Sequence, residues 1–252
     1  MALIKCDFFS EVLGLSTSMT VIIPQTPLAE EENKKHPTLY LLHGFSDDHT
    51  IWTRRTAIEW YVENTGIAIV MPQVDHSYYT DMAYGKRYWT FLTEEVPHVA
   101  RTQFHLSDKR EDNFVAGISM GGYGALKWAL RHPDKFAAAA SLSGSLDVAN
   151  RVKYMSEDRK GTFKLVFGEQ EIEGTENDLL WLIKEGDKSS YPKPLLYQCC
   201  GTEDFLYEDN LRFKEICSRL SYNLRTTFEE GAHEWVYWDK KIQDVLAWLP
   251  VE

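Results

Sequence analysis

Ser119 stands in Gly117-Ile118-Ser119-Met120-Gly121, with a glycine two positions to either side. A serine hydroxyl is a weak nucleophile until a neighbouring base takes its proton and the side chain projects clear of the backbone. The G-x-S-x-G spacing meets the second need. The apolar run 113–118 reads as a strand and 120–132 as a helix stopped by Pro133, so the serine falls on a sharp strand-to-helix turn. The helix N-terminus then favours negative charge developing beside it. A plain glycine turn carrying a solvent-facing serine is the weaker reading, because it leaves the strand before and the helix after unexplained.

Such a serine calls for an acid and then a histidine further along the chain. His233, between a predicted strand and the final helix, fits the base. His36, His49, His76, His98, His105 and His132 lie early, or in loops and helices, and read as structural or surface residues. The acid should follow the preceding strand, where Glu203 and Asp204 are adjacent. Residue pattern alone separates these two poorly. A short carboxylate on a turn holds an imidazole with less rotamer freedom, which favours Asp204. Acyl transfer also requires donors for a tetrahedral oxyanion. The backbone N–H of Met120 is one candidate and that of Phe45, in His43-Gly44-Phe45, the other. His43 reads as a structural residue that hydrogen-bonds this loop. Gly44, Phe45, Trp89 and Tyr84 are candidates for the substrate pocket, with the aromatic segment 75–85 near them. Residues 88–96 read more simply as a core-facing helix.

The elements that must position these groups alternate. Residues 3–24 read as an antiparallel hairpin and 25–37 as an exposed loop. Strands are expected at 38–42, 67–71, 113–118, 137–142, 195–200 and 225–229. Helices are expected at 52–64, 88–104, 120–132, 208–220 and 234–249. This pattern predicts an α/β fold of the α/β-hydrolase type: a mostly parallel central sheet, helices on both faces and an N-terminal antiparallel hairpin. With 252 residues, 44% of them hydrophobic, the chain reads as one domain, 1–252, with 148–190 as an insertion or cap over the strand ends.

A net charge of −11 disfavours nucleic acid and anionic membrane surfaces as partners. The chain shows neither a secretory leader nor a run of about 20 apolar residues, so a cytoplasmic location is expected. Cys6, Cys199, Cys200 and Cys217 match no zinc or redox spacing and read as reduced, buried thiols.

His43-Gly44-Phe45 with Trp52, the run 117–125, Cys200 to Tyr207 and Gly231 to Trp235 together resemble the putative esterase (esterase D-like) family, most closely its streptococcal-type tributyrin esterases. The resemblance covers nearly the whole chain. It implies a carboxylesterase for acetyl to butyryl esters, with Asp204 as the triad acid and neither a metal nor an organic cofactor. The expected partner is a small-molecule ester, met by the chain alone or as a homo-oligomer. S-formylglutathione hydrolysis is the principal alternative. Acetyl or feruloyl esters of carbohydrates follow, weighed down with the mycolyltransferase branch by the missing leader. A lipase acting on insoluble fat and a non-catalytic binding module are weaker still: 148–190 shows no obvious apolar lid, and every triad role is filled.

Overall fold

The computed structural model describes residues 1–25, 35–154 and 157–251. In chain order it contains β1 (Ala2–Ser10), β2 (Leu15–Ile23), β3 (Thr38–Leu42), α1 (Ile51–Arg55), α2 (Ile58–Tyr61), β4 (Ala68–Pro72), α3 (Tyr88–Thr90) and α4 (Val96–Gln103). There follow β5 (Asn113–Ile118), α5 (Met120–Arg131), β6 (Ala138–Leu142), α6 (Val148–Arg151), α7 (Glu157–Phe167), α8 (Leu179–Asp187), β7 (Leu195–Gly201), α9 (Tyr207–Cys217), β8 (Leu224–Glu229) and α10 (Trp235–Trp248). The loop expected at 25–37 falls mostly on 26–34, outside the described residues.

All eight strands join one sheet in the order β1-β2-β4-β3-β5-β6-β7-β8. The hairpin β1–β2 is antiparallel and joins β4 antiparallel, while the pairs from β4 to β8 are parallel. This is an α/β-hydrolase fold. The parallel strands β3, β4, β5 and β6 are buried along their whole length, as a sheet covered on both faces requires. Alternate residues serve opposite faces. Tyr40 and Leu42 point into one core layer, with α5, α7 and α8, whereas Leu39 and Leu41 join the other, with α1 and α10. β1 alternates between half-buried and exposed positions, the pattern of an edge strand.

Two helices differ from expectation, for local reasons. The helix expected at 52–64 is broken at Thr56, whose backbone is extended. The Thr56 hydroxyl donates to the Trp52 carbonyl (2.6 Å) and accepts from the Ile58 N–H (3.1 Å), replacing the helical ladder with side-chain bonds. The helix expected at 88–104 carries a π-helical turn at Phe91–Glu95. Pro97, just beyond it, has no N–H and would crowd the carbonyl four residues back, and the wider turn relieves both.

The region 148–190 forms a helical excursion of α6, α7 and α8 between β6 and β7. The four cysteines are free. Cys199, Cys200 and Cys217 are buried and Cys6 is half-buried. Among the described residues no helix is long and apolar enough to cross a membrane.

β5 lies at the centre of the sheet, and its Phe114 is fully buried. Phe114→Ala should destabilise the protein by about 3–5 kcal/mol, read as a lowered midpoint in urea denaturation followed by tryptophan fluorescence.

Candidate active site

The candidate residues gather at the carboxyl ends of the parallel strands. Ser119 follows β5 directly and caps the N-terminus of α5 at φ 52° and ψ −115°. Its N–H donates to the Leu142 carbonyl (3.0 Å), and its carbonyl accepts from Tyr123 and Ser145 N–H (both 3.2 Å). Gly117 is required for this turn, because a Cβ there would sit 2.4 Å from the Gly121 carbonyl oxygen. α5 is buried on nearly every side, so the serine stands on a rigid base.

His233 Nε2 lies 3.1 Å from the Ser119 Oγ, and its Nδ1 lies 2.9 and 3.1 Å from the two Asp204 oxygens. An ionised carboxylate only accepts, so Nδ1 carries the proton and Nε2 is left to accept from the serine hydroxyl. The Asp204 side chain is wholly buried. It also accepts the Leu206 N–H at 2.8 Å. Of the two adjacent carboxylates, the structure brings Asp204 to His233. Glu203 instead donates its backbone N–H to the Gly231 carbonyl (3.0 Å). That contact draws the β7 and β8 loops together, and Gly201 permits it: a Cβ at 201 would meet the Gly231 oxygen at 2.0 Å.

The imidazole is enclosed by two rings that composition and spacing did not reveal. Phe205 tilts over it at 4.5 Å between centroids, and Trp238 meets it edge-on at 4.8 Å. Trp238 is held in turn by its Nε1–H donating to the Ser143 hydroxyl (3.0 Å). A readable signal did exist, since Trp235 and Trp238 are spaced to share the face of the helix that follows His233.

Phe45 follows β3, as expected, in a loop held by His43. His43 Nε2 accepts the Val74 N–H (3.1 Å), so its Nδ1 is protonated and donates to the Gly44 carbonyl (2.7 Å). Burial without water pushes the His43 pKa down to about 4. The Tyr79 hydroxyl donates to the His43 carbonyl (2.8 Å) and Trp52 Nε1–H to that of Leu42 (3.2 Å). Met120 supplies the first N–H of α5, one of the donors a helix leaves unpaired. The Phe45 ring stacks on His76 (4.3 Å) and packs against Tyr78 (5.8 Å).

One pocket expectation is corrected. Trp89 stacks on His132, at the end of α5 opposite Ser119, and lies 4.7 Å under the Lys127 ammonium. It walls the cage of a buried lysine rather than an ester pocket. Tyr84 is 59% exposed, and its tie to the cap is its backbone N–H, bonded to the Leu165 carbonyl (2.9 Å). Of the 75–85 segment, His76 and Tyr78 face Phe45. Among the described residues no cluster of three or more His, Cys, Asp or Glu side chains could hold a metal ion.

The arrangement can deprotonate a hydroxyl and hold the resulting imidazolium against a buried carboxylate. The model of the family described as "Putative esterase" matches residues 10–249. An acetyl esterase of Caldicellulosiruptor saccharolyticus is 28% identical over 99% of this chain and 98% of its own length. Two solved structures from Staphylococcus aureus are each 37% identical and cover 98% of both chains. The fluorophosphonate-binding serine hydrolase FphF, substrate bound, has a TM-score of 0.92. The S-formylglutathione hydrolase FrmB has a TM-score of 0.89.

The depressed His43 pKa has a pH signature. Unfolded imidazole takes up a proton near its ordinary pKa of 6.5, whereas the folded group resists until about 4. Stability from this group is therefore complete above pH 6.5 and is lost as pH falls towards 4, by about 3 kcal/mol in all. In urea titrations at pH 7 and pH 4.5, His43→Gln should show a smaller loss between the two pH values than the wild type.

Proposed function

The chain belongs to the putative esterase family, and from that premise we propose that this serine esterase hydrolyses short-chain acyl esters, acetyl to butyryl. The observation that carries the reading is the unbroken line Asp204–His233–Ser119, joined by contacts of 2.9 and 3.1 Å. In this reading Ser119 Oγ attacks the ester carbonyl as His233 Nε2 takes its proton. Asp204 orients the imidazole and stabilises its charged form. The Phe45 and Met120 amides hold the oxyanion. The proton then passes from His233 to the leaving alcohol, and water repeats the sequence on the acyl-serine.

Short acyl chains are supported by the tight aromatic packing of Phe45, His76 and Tyr78 at the oxyanion loop, by the resemblance to tributyrin esterases and by the acetyl esterase relative. Ser119→Ala should lower kcat/KM on p-nitrophenyl acetate by at least about 10³-fold and abolish fluorophosphonate labelling. Retention of ordinary activity would rule the assignment out.

A second reading, S-formylglutathione hydrolysis, uses the same triad and is favoured by one exposed guanidinium group. Arg159 lies 5.7 Å from the Phe45 ring. A thioester carrying carboxylates would meet positive charge there. On this reading Arg159→Gln lowers kcat/KM for S-formylglutathione by about two- to five-fold, the scale of an exposed ion pair, with p-nitrophenyl acetate unaffected. An equal effect on both substrates counts against it.

A further inference from the structure

We infer that Phe163, on cap helix α7, is the wall that limits acyl-chain length, and that the cavity behind it would take the longer chain once the wall is removed. The inference rests on Ser119 being the acyl-accepting nucleophile.

The tetrahedral centre on Ser119 has three further substituents. The oxyanion must face the Phe45 and Met120 amides, and the leaving atom must face His233 Nε2 to receive its proton. Phe205, against His233, therefore borders the leaving-group side. The acyl substituent takes the direction that remains. Tyr123, one turn into α5, holds the Ser119 carbonyl through its N–H. Tyr78 packs against Phe45 and against Tyr123 of α5, at 5.8 and 5.9 Å. Tyr78 and its neighbours thus bound the acyl side.

Phe163 stands directly behind Tyr78, edge to face at 4.7 Å, with Phe167 at 5.9 Å from the same ring. On the far side of Phe163 lies a cavity of about 420 Å³ between α6, α7 and residues 168–173. Ala149, Val152, Phe163, Phe167 and Ile172 give it an apolar floor, while exposed residues such as Lys153 and Glu173 form its rim. Phe163 is 4% exposed and belongs to both the wall and the cavity lining. An apolar space of this size, behind the packed Tyr78 and Phe163 rings, suits the hydrocarbon tail of an acyl group. Truncating Phe163 takes away the ring that backs Tyr78, so that Tyr78 can turn aside and join the acyl side to the cavity.

The test is a series of p-nitrophenyl acetate, butyrate, hexanoate and octanoate with the wild type, Phe163→Ala and Phe163→Leu, each rate normalised to sites titrated with a fluorophosphonate, so that misfolded molecules do not count. The wild type should fall off beyond butyrate. In Phe163→Ala each CH2 beyond butyrate should raise kcat/KM about four-fold relative to the wild type, with acetate little changed. Phe163→Leu should show a smaller gain in the same direction. Refilling the cavity in F163A/A149F should remove the gain. A profile parallel to the wild type in both single variants, a wild type that already takes octanoate as well as butyrate, or a gain that survives refilling would each overturn the inference. Failure of the wild type to label at all is a different result, and strikes at the nucleophile assignment.

Discussion

Ser119 occupies a backbone conformation, φ 52° and ψ −115°, that a residue with a Cβ adopts at a cost of about 1–3 kcal/mol. Its surroundings must leave it no alternative, and three backbone bonds from separate parts of the chain do so: to Leu142 at the end of β6, from Tyr123 in α5 and from Ser145 beyond β6. The two that reach β6 and the loop after it depend on the register that sets Ile118 opposite Leu142. A slip of one residue would turn every side chain of β5 to the other face, exchanging the contents of two core layers. Register is therefore enforced by hydrophobic burial over the whole strand, and the position of one hydroxyl follows from it.

The same logic extends along the sheet edge. β3 ends in the loop carrying Phe45, β5 in Ser119, β6 in Ser143, β7 in the turn to Asp204 and β8 in the loop to His233. Parallel strands bring these ends to one side, where the loops are free of the sheet's hydrogen bonding. Ser143, itself at positive φ (47°), bonds through its N–H to Cys199 and through its hydroxyl to Trp238, the ring set against the His233 imidazole. Strain at two strand ends thus positions both halves of the proton-transfer pair.

These relations explain what could be read from the chain. The serine, the acid and the histidine were legible because each is tied to a strand end, and strand ends follow from apolar runs and glycine punctuation. Asp204 and Glu203 could not be separated by pattern, since one residue of turn geometry decides which carboxylate points inward. Trp89 was misplaced for a different reason. Where an aromatic ring on a helix packs depends on contacts remote in sequence, here the pairing of Trp89 with Lys127 and His132. The breaks at Thr56 and at the π-helical turn were hidden because side-chain bonds and a proline overrode an unbroken apolar period.

Lys127 shows how far such remote contacts reach. Its ammonium is buried on α5, donating to the Tyr79 carbonyl (3.1 Å), the Thr80 hydroxyl (2.9 Å) and the Asn177 side chain (2.7 Å), with Trp89 and Tyr123 rings about it. Burial pulls its pKa well down, so the three acceptors and two ring faces are what offset the loss of water. Tyr78 and Tyr79 both hold positive φ, and Lys127 clamps the carbonyl of the second while the Tyr79 hydroxyl clamps that of His43. His43 then secures Gly44, next to the amide of Phe45. A continuous bonded path therefore joins the helix that presents the serine to the loop that carries Phe45. Stabilising an oxyanion requires donors fixed in place before charge develops, and a path of this kind is what fixes them.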